Sequence, residues 1–189
     1  MKSELRQIYK QKRREMNKTD VADLSIKACK LFLESDFYKN SQVIMLYKPL
    51  GNETDTSLIE NDAVQNFKKL CYPVTDKESG EITAVYGDCD TTFLKGAFSI
   101  NEPQNTSVAN KDHIDVVLVP GIVYSPSGDR IGFGKGCYDR FLNKFNGVKI
   151  GFCFESQITA DFSGDNHDIK MDYLITDKRI INCRKGDVK

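Results

Sequence analysis

Ile114, Val116, Val117, Leu118 and Val119 form an apolar run in which four of the five residues are β-branched. That is the pattern of a strand covered on both faces, which needs packing layers above and below it. Turn-rich chain follows, with Pro120-Gly121 and then Ser125 to Gly128. Beyond it Gly132, Gly134 and Gly136 alternate with Phe133 and Lys135. Phe141, Leu142 and Phe145 then set a helical spacing over 138–145. Strand, glycine loop and helix in this order suit an anion. Glycines let backbone N–H groups come close to a phosphate, and a helix N-terminus adds partial positive charge. Arg130 and Lys135 add full charges, and Asp139 can hold a divalent cation. The loop is neither a Walker A sequence, since Gly136 follows the lysine, nor G-x-G-x-x-G. Spacing alone leaves the anion unnamed, and a surface loop with solvated charges is the competing reading.

The same alternation recurs along the chain. Apolar runs at 42–47, 69–74, 148–154 and 173–176 read as further strands, with shorter ones at 82–86 and 93–98. Helices are expected at 2–16, at 21–34 with Thr19 or Asp20 as cap, and at 57–67 with Asp55 or Thr56 as cap. This is an α/β pattern with a largely parallel sheet, in one domain over residues 1–189. No repeat or linker divides it.

Composition narrows the partners. Lysine plus arginine and aspartate plus glutamate both number 27 among 189 residues. A net charge of zero gives no electrostatic case for nucleic acid or a membrane surface. The six cysteines include no C-x-x-C pair, which argues against zinc or thioredoxin-like chemistry and for a reducing cytoplasm. The basic N-terminus lacks the apolar core of a signal peptide, and no run reaches the length that spans a bilayer.

The segment G-D-R-I-G-F-G-K-G-C-Y-D-R-F-L resembles the signature of the 5-formyltetrahydrofolate cyclo-ligase family, G-x-R-L-G-x-G-x-G-Y-Y-D before an apolar helix. Ile131 replaces the leucine, and Cys137 stands at the first tyrosine. Five other segments resemble the family more weakly. They are K-x-x-L-R from Lys2 to Arg6, Y-x-P-x-x-x-E-x-D-T from Tyr47 to Thr56, I-x-E-P from Ile100 to Pro103, F-E-x-Q from Phe154 to Gln157, and H-D-x-x-M-D from His167 to Asp172.

The resemblance implies a three-layer, Rossmann-like α/β fold of the kind shared with sugar-phosphate isomerases and CoA transferases. It implies 5-formyltetrahydrofolate, in some cases polyglutamylated, and Mg·ATP as substrates of a monomer. By that resemblance Lys2 and Arg6 bind ATP, with Arg13 and Arg14 as weaker candidates. Arg130, Ile131, Gly132, Phe133, Gly134, Lys135, Gly136, Cys137 and Tyr138 form the nucleotide loop, and Arg130 and Lys135 offset charge during transfer. The loop from Phe133 to Tyr138 also lines the folate side, where Glu53 binds the pterin and Lys48 is its neighbour. Asp139 and Asp168 hold Mg2+, with Asp172 as second choice to Asp168. Glu102 needs no role beyond an extended pre-proline position, and His113 and His167 lack a third metal ligand. Three alternatives stay open: another phosphate-handling enzyme, a protein that sequesters reduced folate, and a nucleophilic Cys137.

Overall fold

The structure, a computed structural model, describes residues 1–88, 90–104, 107–165 and 167–184. Along the chain, α1 (Lys2–Glu15), α2 (Lys18–Glu34) and the short α3 (Asp36–Lys39) precede β1 (Val43–Met45). Helix α4 (Ser57–Gln65) leads to β2 (Lys69–Thr75), which turns back as β3 (Ile82–Gly87). β4 (Phe93–Lys95) and β5 (Asn101–Pro103) pair as a small hairpin before β6 (Val116–Val119). β7 (Val123–Tyr124) and β8 (Arg130–Ile131) make a second hairpin, followed by α5 (Cys137–Leu142). β9 (Val148–Phe152), β10 (Tyr173–Ile175) and β11 (Ile180–Asn182) complete the order.

Seven strands form one sheet in the order β11-β10-β9-β6-β1-β2-β3. The five inner strands are parallel, and β3 and β11 close the edges antiparallel. Period-two alternation divides the core. Ile44, Leu46 and Leu118 pack with Ala28 and Phe32 of α2 and Ile59 and Ala63 of α4. Val43, Met45, Val117 and Val119 face the other way, onto Phe141, Leu142 and Phe145. Each of the Val, Leu, Ile, Met and Phe side chains stabilises the fold by about 1.5–3 kcal/mol when fully buried. The result is a three-layer α/β arrangement, as the apolar runs require.

The parallel order sets the site. From β1 the chain moves to β2 on one side, and later to β6 on the other. In an open parallel sheet the crevice at such a reversal, at the carboxyl ends of the strands, is where ligands bind. Helix α1 straps this end. Leu5 and Tyr9 pack on Ile122, Val123, Ile131 and Phe162, while Ile8 stays 44% exposed. Leu5, Ile8 and Tyr9 of α1 therefore do not all face the core.

Several boundaries differ from the sequence reading. Helix α2 begins at Lys18 because Asn17, not Thr19 or Asp20, caps it, its Oδ1 accepting from Asp20 N at 2.7 Å. Helix α4 stops at Gln65, before Phe67 turns left-handed at φ 56°. The helix after the glycine loop covers Cys137–Leu142, not 138–145, with Lys144 at φ 56° beyond it. The expected strand at 93–98 ends at Lys95, where Phe98 and Ser99 take positive φ. The β7–β8 hairpin and the β11 edge were not anticipated. None of the described helices is long and apolar enough to cross a membrane.

Candidate active site

A cavity of about 870 Å³ opens at the crevice beside β1 and β6. The first-choice residues of the resemblance all line it, namely Lys2, Arg6, Lys48, Glu53, Arg130 through Asp139, and Asp168, whereas Arg13, Arg14 and Asp172 do not.

Glu53 forms one wall. It is 5% exposed, with Leu50 N donating to Oε2 at 2.9 Å and Arg13 Nη1 to Oε1 at 3.4 Å. Burial pushes its carboxyl up, and Arg13 with the Leu50 amide only partly restrains it. Arg13 also donates to Gly121 O at 3.2 Å, so it joins the Glu53 wall to the turn after β6. Arg14 is exposed and does not line the cavity. Lys48 donates to Glu60, which also accepts from the Tyr72 hydroxyl, and its ammonium lies 4.2 Å from the Phe93 ring centre. The lysine is thus held in place while still facing the cavity.

The glycine loop forms the second wall. Gly134 and Gly136 take φ of 96° and 65°, which L side chains rarely adopt. Arg6 Nε donates to Gly132 O at 2.9 Å, and a Cβ on Gly134 would sit 3.6 Å from the Arg6 guanidinium. Phe133 lies under Lys10 and Arg13, at 4.9 and 5.7 Å from its ring centre. Arg130 Nη2 donates to Asp139 Oδ1 at 3.1 Å, but its Nε is buried with no acceptor. An orphaned buried donor costs about 1–3 kcal/mol, which a bound anion would recover. Lys135 is exposed, 6.0 Å from the Phe98 ring centre, and makes no ion pair among the described residues. Burial pushes the Tyr138 phenol up, so it is neutral and can donate. Because α5 is only 6 residues long, the anion-binding character rests on loop amides and cations more than on a helix dipole.

The third wall is acidic. Lys2 Nζ bridges Asp165 Oδ2 at 2.7 Å and Asp168 Oδ2 at 2.6 Å. Burial opposes ionisation of Asp168, but Lys2 and the Asp165 amide outweigh it and hold the carboxyl below the usual range. Asp165, His167 and Asp168 present ligand atoms within 4.8 Å of one another. Asp139 is not in that group; its Oδ1 also accepts from Ile169 N at 3.3 Å, one residue past Asp168. Asp172, the second choice, lies elsewhere: it pairs with Lys149 and Arg184 at the β9–β10 side of the sheet. Carboxylate oxygens beside loop cations are the donor chemistry that magnesium takes with phosphates.

Other motif residues serve the scaffold. Gln157 is buried and donates to Gly121 O and Ile122 O at 3.0 and 3.1 Å. Glu102 accepts from Thr75 N at 2.9 Å. Sequence reasoning missed Asp165, Thr75, Ile82, Phe98, Arg140 and Asn143 on the cavity lining. Only Asp165 carried a signal, as the acidic residue three before Asp168.

A profile of the 5-formyltetrahydrofolate cyclo-ligase family matches residues 1–177. A probable 5-formyltetrahydrofolate cyclo-ligase of Caenorhabditis elegans is 26% identical, with 93% of this chain and 92% of the relative covered. The NMR structure of Aquifex aeolicus 5,10-methenyltetrahydrofolate synthetase superposes with a TM-score of 0.86 at 31% identity, covering 100% of this chain and 95% of the other. The Mycoplasma pneumoniae 5,10-methenyltetrahydrofolate synthetase gives 0.77 at 26% identity, covering 94% and 99%. With the sheet order, the glycine loop and the carboxylate wall in place, the match over nearly the whole length is decisive: the chain belongs to the 5-formyltetrahydrofolate cyclo-ligase family.

Proposed function

We propose that the protein uses ATP to cyclise 5-formyltetrahydrofolate to 5,10-methenyltetrahydrofolate, releasing ADP and phosphate. The observation that carries this reading is one cavity holding both a buried carboxylate, Glu53, and a glycine loop whose lysine makes no ion pair among the described residues and whose arginine has an orphaned donor.

A formyl group on nitrogen is an amide, and its oxygen is a poor leaving group. Attack of that oxygen on the γ-phosphorus expels ADP and turns the oxygen into a phosphate ester. The anilino nitrogen of the substrate then adds to the activated carbon and loses its proton, and the C–O bond breaks to release phosphate. Such a sequence needs alignment and charge neutralisation more than a protein nucleophile. Lys135 and Arg130 offset charge on the transferring group, and the loop from Arg130 through Tyr138 holds its oxygens. Lys2 and Arg6 clamp the nucleotide from α1. The ionised Glu53 accepts two hydrogen bonds from the aminopyrimidine edge, with Lys48 beside it. Asp168 and Asp165, with Asp139 next to them, would hold magnesium, which neutralises phosphate charge when bound.

We take residues 1–189 as one domain acting as a cytoplasmic monomer. The family match across 1–177 supports the domain, and the free cysteines among the described residues fit a reducing compartment. The test is growth of the methenyltetrahydrofolate absorbance band on mixing protein, Mg·ATP and 5-formyltetrahydrofolate, with controls lacking ATP or containing a chelator. Growth that needs both ATP and metal is expected. Folate binding without growth would replace the ligase with a sequestering protein.

A further inference from the structure

Arg140 has no part in the phosphate or pterin contacts just proposed, yet it lines the main cavity. It also lines a second cavity of about 340 Å³, together with Ile82, Lys111 and Glu81. Ile82 and Arg140 are common to the two linings, so the cavities adjoin at these side chains.

Two successive residues of α5 face opposite ends of the site. Asp139 reaches the Ile169 amide, on the segment leading into β10. Arg140 Nη2 donates instead to Ser79 O at 3.1 Å and Gly80 O at 3.0 Å, in the β2–β3 turn. β10 and β3 lie on opposite sides of the central strand β6. The Lys2, Asp165 and Asp168 cluster is thus at one end, and Arg140 at the other.

Among the described residues Arg140 has no carboxylate partner; its contacts are the two carbonyls and Cys137 Sγ at 3.9 Å. The carbonyls fix the guanidinium plane without neutralising it, which prepares the remaining N–H groups for an anion. Lys111, on the lining of the smaller cavity, also makes no ion pair among the described residues and is anchored on Asn143 O at 2.6 Å. Glu81 is the only carboxylate on that lining among the described residues.

We infer that Arg140, with Lys111 behind it, is the subsite for the glutamyl carboxylates of the folate. This rests on the proposed substrate, a long molecule with a pterin at one end and a dicarboxylate at the other. With the pterin at Glu53 and the triphosphate at the Lys2 end, the unneutralised cations beside the second cavity are left for the dicarboxylate.

The test compares 5-formyltetrahydrofolate with 5-formyltetrahydropteroate, which lacks the glutamate, under saturating Mg·ATP. In Arg140→Leu, KM for the glutamylated substrate should rise about tenfold, the loss of one charge-assisted bond. KM for the pteroate, KM for ATP and kcat should hold. Since Arg140 also ties down the β2–β3 turn, Glu81→Gln is the second variant. Removing that rim charge should lower KM for the glutamylated substrate and leave the pteroate unchanged. A rise in KM for ATP with Arg140→Leu would place a phosphate at Arg140 and overturn the inference. So would equal effects on both folates, or no effect of Glu81→Gln. Wild-type protein that fails to turn over either folate would instead remove the proposed function.

Discussion

The turn from Ser125 to Asp129 and the loop from Arg130 to Tyr138 adjoin in the chain, and they treat polar groups in opposite ways. In the turn, Asp129 is 2% exposed and fully engaged. It accepts from Ser125 Oγ at 3.0 Å, Ser127 Oγ at 2.9 Å and Lys170 Nζ at 3.2 Å, and Ser125 N bonds back to Asp129 O. Burial opposes its charge, but the Ser127, Lys170 and Ser125 donors outweigh it and hold the carboxyl below the usual range. In the loop, Lys135 has no carboxylate partner among the described residues and Arg130 Nε has no acceptor. Closed polar groups rigidify the hairpin, while open ones wait for a ligand. Substituting the closed polar groups of the turn should therefore cost stability, and substituting the open cations of the loop should cost turnover.

Lys135→Ala should show the contrast most strongly. Loss of a preorganised charge at the transferring group should lower kcat by about a hundred- to a thousandfold, with an unchanged melting temperature. Full turnover would remove the central role of this lysine. Asp129→Ala should do the reverse, costing about 2–3 kcal/mol in denaturant unfolding, while the folded fraction keeps its KM for ATP. Because the folded pKa of Asp129 is depressed, its stabilisation is complete above the unfolded value of about 4 and is lost as pH falls through the folded one. The stability gap between wild type and Asp129→Asn should therefore close below about pH 4.

Glu53 sharpens the comparison in a different way, since burial raises its pKa above the ordinary 4.5. Protonation removes the acceptors proposed for the pterin. KM for 5-formyltetrahydrofolate should rise by up to about tenfold per pH unit as pH falls through that raised value. A KM that stays flat until the pH of an exposed glutamate would contradict the assignment. Gly136→Ala should have the smallest effect. At φ 65° the methyl costs about 1 kcal/mol, to be read as a modest fall in melting temperature.

The strands were legible because their β-branched runs must be buried on both faces, whatever the tertiary detail. The glycine loop was legible because its spacing and charges have few structural uses. Three features were not. The β7–β8 hairpin pairs only Val123 with Ile131 and Tyr124 with Arg130, and it rests on side chains contributed by α1 and Phe162. No local period announces it. Asn17 outcompeted Thr19 and Asp20 as a cap, because several residues in that stretch can cap a helix equally well. The resemblance offers Arg13 only as a weaker ATP-binding candidate, whereas the fold sets it beside Glu53, 40 positions away. Residues whose role depends on such a distant partner carry no mark in the sequence.

The most direct test places a heavy-oxygen label on the formyl oxygen of 5-formyltetrahydrofolate and follows it through one turnover with Mg·ATP. If the formyl oxygen attacks the γ-phosphorus, the label appears in the released phosphate, at a rate that collapses in Lys135→Ala. Unlabelled phosphate, with the label in solvent water, would contradict phosphoryl transfer to the formyl oxygen and the purpose assigned to the open loop.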